Sequence, residues 1–215
     1  MATSPDETDE TDATQPRGAT DALVEVQLRY LQRSRERVVS RLDGLEEHLV
    51  RRPLTPTGTN LLGLVKHLAL GELGYFDQCA GRPSGIEVPF EDDASYDEGL
   101  DMYALPGESR EWVLDLYRQA AAHTDATVRA VGPDAPATVP WWREEVRETT
   151  VGYLLTHVLH ETAQPAGHAD VLRELVDGAA GADHDQRDGA GWAAHVARVQ
   201  AAADGWTSTT AADTM

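Results

Sequence analysis

Two segments of this chain carry residues whose types and spacing could support chemistry. The first holds a lone histidine, His67, with glycines at positions 63, 71 and 74 on the same helical face. Such a glycine flank leaves space for a ligand beside the imidazole, although a core histidine bonded to a carbonyl group is the alternative. The second segment, residues 150–178, is rich in histidine and carries His157, His160, Glu161, Gln164 and His168. Inward-pointing His and Glu side chains from different helices are how a bundle holds a metal ion.

A helical projection of the second segment predicts which of its polar side chains face the core. At about 100° per residue, the inward stripe holds Glu161, His157, His168 and Pro165. A buried carboxylate without a partner is costly. We therefore expect Glu161 to meet either a metal ion or a protonated histidine such as His67 or His157.

Two features of the second segment limit what it can do. His160 and Glu161 match the start of the His-Glu-x-x-His pattern of zinc proteases, but Gln164 stands where the pattern has its second histidine. A protease is therefore not favoured. Pro165 interrupts the helical run and removes one backbone hydrogen bond. Its presence is consistent with a tolerated kink or with a bend that shapes a site wall.

Composition excludes several classes of function. A formal net charge of −19 disfavours nucleic acid and anionic membrane surfaces as partners. No stretch is apolar enough for a membrane span, the polar N-terminus does not resemble a signal peptide, and one cysteine, Cys79, excludes an internal disulfide framework. We therefore expect a cytoplasmic protein. A single lysine beside seventeen arginines indicates GC-rich coding, as in actinobacteria.

Apolar periodicity predicts an all-α fold, a four-helix bundle with one long cross-connection. The predicted helices cover about 21–50, 59–80, 107–131 and 149–178, followed by a short amphipathic helix over 191–204. The acidic loop 81–106 is long enough to line or cover a site, and no strand is predicted. The predicted domains are a disordered acidic tail over 1–20, the bundle over 21–178 and a C-terminal extension over 179–215.

Thr59 or Asn60 is the expected cap of the second helix, and the fourth is expected to begin near Thr149 or Thr150 and to end at Gly178. The third should turn Val113, Tyr117, Ala120 and Val128 inward. Trp141 and Trp142 are expected to plug the bundle end or to line a pocket mouth, and Cys79 has no basic neighbour that would make it a nucleophile.

Several separated blocks resemble one family in the right order. The blocks are Leu61-Leu-Gly-Leu-Val-Lys-His-Leu-Ala69, Pro140-Trp-Trp, the run 154–161 and Ala166-Gly-His-Ala-Asp-Val-Leu-Arg-Glu174. Over about residues 22–178, the chain resembles the DinB-like superfamily of metalloenzymes in its actinobacterial version. This resemblance implies a four-helix bundle. Relatives often form homodimers, so a homodimer is one arrangement that the resemblance implies.

The resemblance also implies a divalent metal ion, of the zinc or nickel class, held by three side chains. The histidine of the second helix matches His67, and the first ligand of the last helix matches Glu161. The second ligand of that helix falls at position 165, where this chain has proline. A neighbour would have to replace it: His168 is the preferred third ligand and His157 is the substitute.

Characterised relatives include mycothiol-dependent maleylpyruvate isomerase and the S-transferases that use bacillithiol or mycothiol. The resemblance therefore implies a metal-assisted thiol S-transferase or isomerase, with mycothiol as the thiol cofactor and a small electrophile as substrate. The acidity of loop 81–106 favours a neutral or cationic substrate. The alternative hypothesis is a non-catalytic, metal-free bundle that acts as a binding or stress-response protein, because Pro165 replaces a ligand.

Overall fold

The computed structural model describes residues 18–88, 98–178 and 187–212. The chain divides into two compact units, Met1–Ala179 and Ala180–Met215. Most of the predicted tail, residues 1–17, lies outside the described residues. The second unit contains one described helix, Gly189–Ala212, which is longer than predicted. Among the described residues, no helix is long and apolar enough to cross a membrane.

The first predicted helix is two helices in the structure. Helix α1 spans Ala19–Ser40, and the short helix α2 spans Glu47–Arg51. The chain turns between them at Gly44, whose φ of 71° lies in the left-handed region that favours glycine. The prediction of one helix over 21–50 was wrong because the apolar spacing continues across the turn: Leu42 and Leu45 are buried there as well.

Helix α3 spans Leu61–Leu73 and continues as a π-helical turn, Gly74–Cys79. Asn60 caps it as predicted, because its side chain accepts a hydrogen bond from the amide of Gly63 at 2.8 Å. A π-turn inside a helix is uncommon and is often found at functional sites. This one supplies several residues to the cavity described below.

The long cross-connection contains a 3-10 turn, Leu100–Met102, and leads into helix α4, Arg110–Val131. The residues predicted to face inward on α4 are buried: Val113, Tyr117, Ala120 and Val128. An antiparallel hairpin follows, in which β1, Pro136–Thr138, pairs with β2, Glu148–Thr150. The sequence analysis predicted no strand, since three-residue strands are too short to show an alternating pattern.

Helix α5 spans Val151–Asp177, with Thr150 as its N-terminal cap and Gly178 as its left-handed C-terminal cap, as predicted. Helix α1 packs against α5, α3 packs against α4, and α3 also contacts α5, which makes the predicted four-helix bundle. Pro165 is buried and lies within α5 without ending it.

The predicted inward face of α5 was right for Pro165 but wrong for its ionisable residues. Glu161 and His168 are exposed and His157 is half-buried, whereas Val158, Thr162 and Ala169 are buried. The buried face is therefore centred about 80° around the helix from Glu161.

Candidate functional site

A cavity of about 660 Å³ opens between α3, its π-turn, α5 and the cross-connection. Residues from the middle of α3 and from the π-turn line one side, and residues of α5 line another. Ile86, Val88 and Asp101 come from loop 81–106, which was expected to line or cover a site. Trp141 adds an aromatic side chain, one of the two roles that the Pro-Trp-Trp segment suggested. The volume is in the range of small-molecule sites.

The polar centre of this cavity is a histidine–aspartate pair. Nδ1 of His67 lies 2.6 Å from Oδ2 of Asp101. The imidazole is about half-exposed toward the cavity, whereas Asp101 is buried in the 3-10 turn. Because a carboxylate accepts hydrogen bonds, Nδ1 is the donor and Nε2 carries the lone pair. A lone pair on Nε2 can accept a proton or bind a metal ion.

Sequence reasoning identified His67 but missed Asp101. The aspartate lies in an aperiodic, acidic loop, where one carboxylate resembles its neighbours. Leu100-Asp101-Met102 is a short apolar interruption in that loop. This interruption was the one signal that the segment returns to the core.

Beneath the cavity lies a buried ion pair that the sequence analysis also missed. Arg35 of α1 donates from Nε to Glu72 at 2.8 Å and from Nη2 to the same carboxylate at 2.5 Å, while Nη1 reaches Asp125 at 2.9 Å. Arg35 and Glu72 are almost fully buried. Their two-point contact neutralises the carboxylate that Glu72 contributes to the cavity wall.

A cluster of aromatic side chains closes one side of the cavity. Tyr75 packs against Trp141 and Trp142, with ring centroids 5.5 and 6.0 Å apart. The hydroxyl group of Tyr75 lies 3.0 Å from Nε2 of His157, and burial lowers the pKa of that histidine. The contact with Tyr75 therefore occupies one of the two ring nitrogens of His157, the substitute metal ligand.

On the α5 side of the cavity, fewer polar side chains form hydrogen bonds or ion pairs than on the α3 side. Glu161 lines the cavity, close enough to His157 for its charge to oppose the lowering of that pKa. Its neighbour Thr162 donates its hydroxyl to the carbonyl of Val158 at 2.7 Å. His168 is exposed and is not among the residues that line the cavity. The structure thus brings His67 and Glu161 to one cavity but leaves His168 outside it.

These side chains do not complete the three-ligand site that the resemblance implies. Position 165 offers a buried proline ring in place of a donor atom. Across residues 18–88, 98–178 and 187–212, no three His, Cys, Asp or Glu side chains are grouped so that they could hold a metal ion. The donor set therefore does not fit the implied metal, and the ligand assignment of His67, Glu161 and His168 stays a prediction.

Cys79 does not supply a nucleophile in place of the metal. It is a free, buried cysteine at the end of the π-turn. Burial raises the pKa of its thiol to about 11. The thiolate is therefore scarce at neutral pH, in agreement with the prediction that Cys79 is not a nucleophile.

The family model described as Mycothiol-S-transferase matches residues 27–178. The chain belongs to the mycothiol S-transferase family. This confirms the relationship to thiol S-transferases that the sequence blocks predicted. No curated protein matches the chain. The match spans all the helices that line the cavity, so the family assignment and the candidate site concern the same part of the molecule.

Proposed function

We propose that this member of the mycothiol S-transferase family transfers a low-molecular-weight thiol of the mycothiol type to a small electrophile in the cavity. The observation that carries the proposal is the His67–Asp101 pair, which lies in a cavity of suitable volume within the matched region. Thiol transfer needs a base, because the thiolate rather than the thiol is the nucleophile, and the pair supplies that base.

In the proposed step, Nε2 of His67 takes the proton from the thiol. The sulfur then forms a bond to the electrophilic carbon, and the leaving group departs with its electron pair. Asp101 holds the imidazole in the Nδ1–H form and stabilises the imidazolium that results. General-base assistance of this kind contributes roughly 10²- to 10⁴-fold.

The charge of the cavity selects among electrophiles. Among the described residues, its lining includes Glu72, Asp77, Asp101 and Glu161 but no lysine or arginine side chain. Arg35 neutralises the first of these from below, and His67 pairs with Asp101. The remaining negative charge disfavours an anionic electrophile, so we infer that the substrate is neutral or cationic.

Metal dependence is a separate question with its own test. The proposed step uses His67 and Asp101 alone, and a divalent ion held by His67, Glu161 and His168, or by His157 as substitute, stays a prediction. Elemental analysis of protein purified without an affinity tag or chelator, beside a His67→Ala variant, tests it. About one ion per chain, lost in the variant, would favour the metal-assisted form of the reaction.

The proposal is tested by thiol transfer with mycothiol and the fluorogenic electrophile monochlorobimane. We expect turnover by the native chain that persists in a chelator and falls roughly 10²- to 10⁴-fold in His67→Gln. His160→Gln is the matched control, since His160 is an exposed histidine that bonds only to Gln164 among the described contacts.

Equal losses in the two variants would remove the role proposed for His67. No turnover with mycothiol, or with a panel of neutral and cationic electrophiles, would favour the alternative of a non-catalytic bundle. Pro165 is the specific observation on the side of that alternative, because it replaces an implied ligand.

A further inference from the structure

The lone lysine of the chain lies next to the candidate catalytic histidine in sequence but points into the protein. Lys66 is fully buried on α3. Its ammonium group donates to the carbonyl of Leu100 at 2.7 Å, to the carbonyl of Tyr103 at 3.1 Å and to the carboxylate of Glu108 at 2.8 Å. These contacts match the three donors of an ammonium group. A buried charge is costly unless it is paired and hydrogen-bonded. The ammonium group of Lys66 meets both conditions.

Two of these contacts flank Asp101. Leu100 precedes it directly and Tyr103 follows two residues later, so Lys66 holds the 3-10 turn at both ends. Glu108 continues the attachment, because its carboxylate also accepts a hydrogen bond from the amide of Leu105 at 2.8 Å. The segment after the turn is thereby tied to the same ammonium group.

The N-terminal cap of α3 holds the last residue of the turn. The side-chain amide of Asn60 donates to the carbonyl of Met102 at 3.1 Å. Gly63 permits this approach, since a Cβ at that position would lie 1.9 Å from the same carbonyl oxygen. Asn60 and Lys66 therefore hold the backbone on both sides of Asp101, and the carboxylate of Asp101 meets Nδ1 of His67.

From this arrangement we propose that Lys66, with Glu108, is a positioning residue for the His67–Asp101 pair. It touches neither the cavity nor the imidazole in the described contacts, and it acts through the backbone of the turn. Its removal frees the turn, and the Asp101 carboxylate no longer selects the Nδ1–H form of His67. The proposal deepens the proposed function and rests on it for its catalytic consequence, but its structural consequence is independent of thiol transfer.

The test is the tautomer of His67, observed by NMR on the full chain with ring-¹⁵N histidine, with the signal assigned by its loss in His67→Gln. At a pH of about 8.5, above the ordinary range of imidazole titration, we expect the native chain to show the Nδ1–H form. Lys66→Met should spread the proton over both ring nitrogens. Gly63→Ala, which displaces the turn while Lys66 is retained, is the positive control.

Asp170→Asn is the matched negative control. Asp170 is a buried carboxylate of α5 that pairs with Arg37 and Arg41 of α1, far along the chain from the turn. Its loss costs two ion pairs without touching α3, so the Nδ1–H signal should be unchanged. If Lys66→Met does not fold, Glu108→Gln replaces it and should shift the tautomer in the same direction.

A folded Lys66→Met or Glu108→Gln variant that keeps the native tautomer would overturn the proposal. In the thiol-transfer assay, Lys66→Met should lower kcat about 10- to 100-fold, as loss of an outer partner typically does, with little change in KM. A native chain without thiol transfer but with the expected tautomer shift would refute the proposed function and leave the positioning role standing.

Discussion

The two helical walls of the cavity differ in how their polar side chains are bonded and buried. On the α3 wall, His67 is bonded to Asp101, and its neighbours Lys66 and Glu72 are buried in ion pairs. On the α5 wall, Glu161 is exposed and position 165 is a proline. Groups held by several buried partners keep one geometry, whereas an exposed carboxylate is free to move. The chemistry that this chain retains is therefore expected on the α3 wall.

The largest effect should come from restoring a donor to the α5 wall. Pro165→His places an imidazole one turn from Glu161, at the position where the family resemblance implies a ligand. We expect zinc affinity, measured by competition with a chromogenic chelator, to rise by more than about 100-fold over the native chain, since even outer partners of a metal site change affinity 10- to 100-fold.

Pro165→Ala is the control for that comparison. It returns the missing amide donor to the helix without adding a ligand, and the typical cost of an interior proline is about 3 kcal/mol. We expect higher thermal stability and no gain in zinc affinity. Tight zinc binding by the native chain, equal to that of Pro165→His, would mean that the α5 wall already supplies enough donors.

The second effect concerns Cys79, the buried thiol on the α3 side. Because the pKa of Cys79 is raised to about 11, its thiolate is roughly 100-fold scarcer at pH 7.5 than that of an ordinary cysteine. Iodoacetamide should therefore modify the native chain at least about 100-fold more slowly than the urea-unfolded chain. Rapid labelling of the folded chain would place a reactive thiol on this wall and weaken the case for an external one.

The third effect compares the two carboxylates across the cavity. Asp101→Asn should lower thiol transfer about 10- to 100-fold, since the amide no longer selects one form of His67. Glu161→Gln should change it by less than about threefold for a neutral electrophile, because Glu161 makes no described contact with His67 or Asp101 and a neutral electrophile carries no charge for it to attract or repel. Equal losses would show that both walls take part in the reaction.

The smallest effect is the pH dependence of His157. Burial lowers the pKa of this histidine, so the unfolded chain binds its proton more readily than the folded chain does. The stabilisation by neutral His157 is thus complete above the ordinary histidine pKa of about 6.5 and is lost as the pH falls through the folded value.

Urea denaturation of the native chain and of His157→Gln between pH 7.5 and 5 measures this dependence. The free energy of unfolding should fall more steeply with acid in the native chain. Parallel curves would mean that folding does not lower the pKa of His157.

Local sequence determined three of the helices of the bundle and placed His67 in the site. Apolar spacing and the caps Asn60, Thr150 and Gly178 placed α3, with its π-turn, and α5 almost to the residue. The glycine flank of His67 predicted open space beside it: a cavity lies beside Gly71 and Gly74, whereas Gly63 is packed against the carbonyl of Met102. These features depend on residues within two turns of each other, so they can be read along the chain.

Only the tertiary structure decided which groups meet. Asp101 reaches His67 because Lys66 and Asn60 fasten a distant turn to α3. A helical projection gives the angle of Glu161 about its own axis but not the positions of the neighbouring helices. Because the cavity lies between α3 and α5, the side of α5 that carries Glu161 is exposed to solvent. Contacts between residues far apart in sequence are set by packing in three dimensions, which no local pattern encodes.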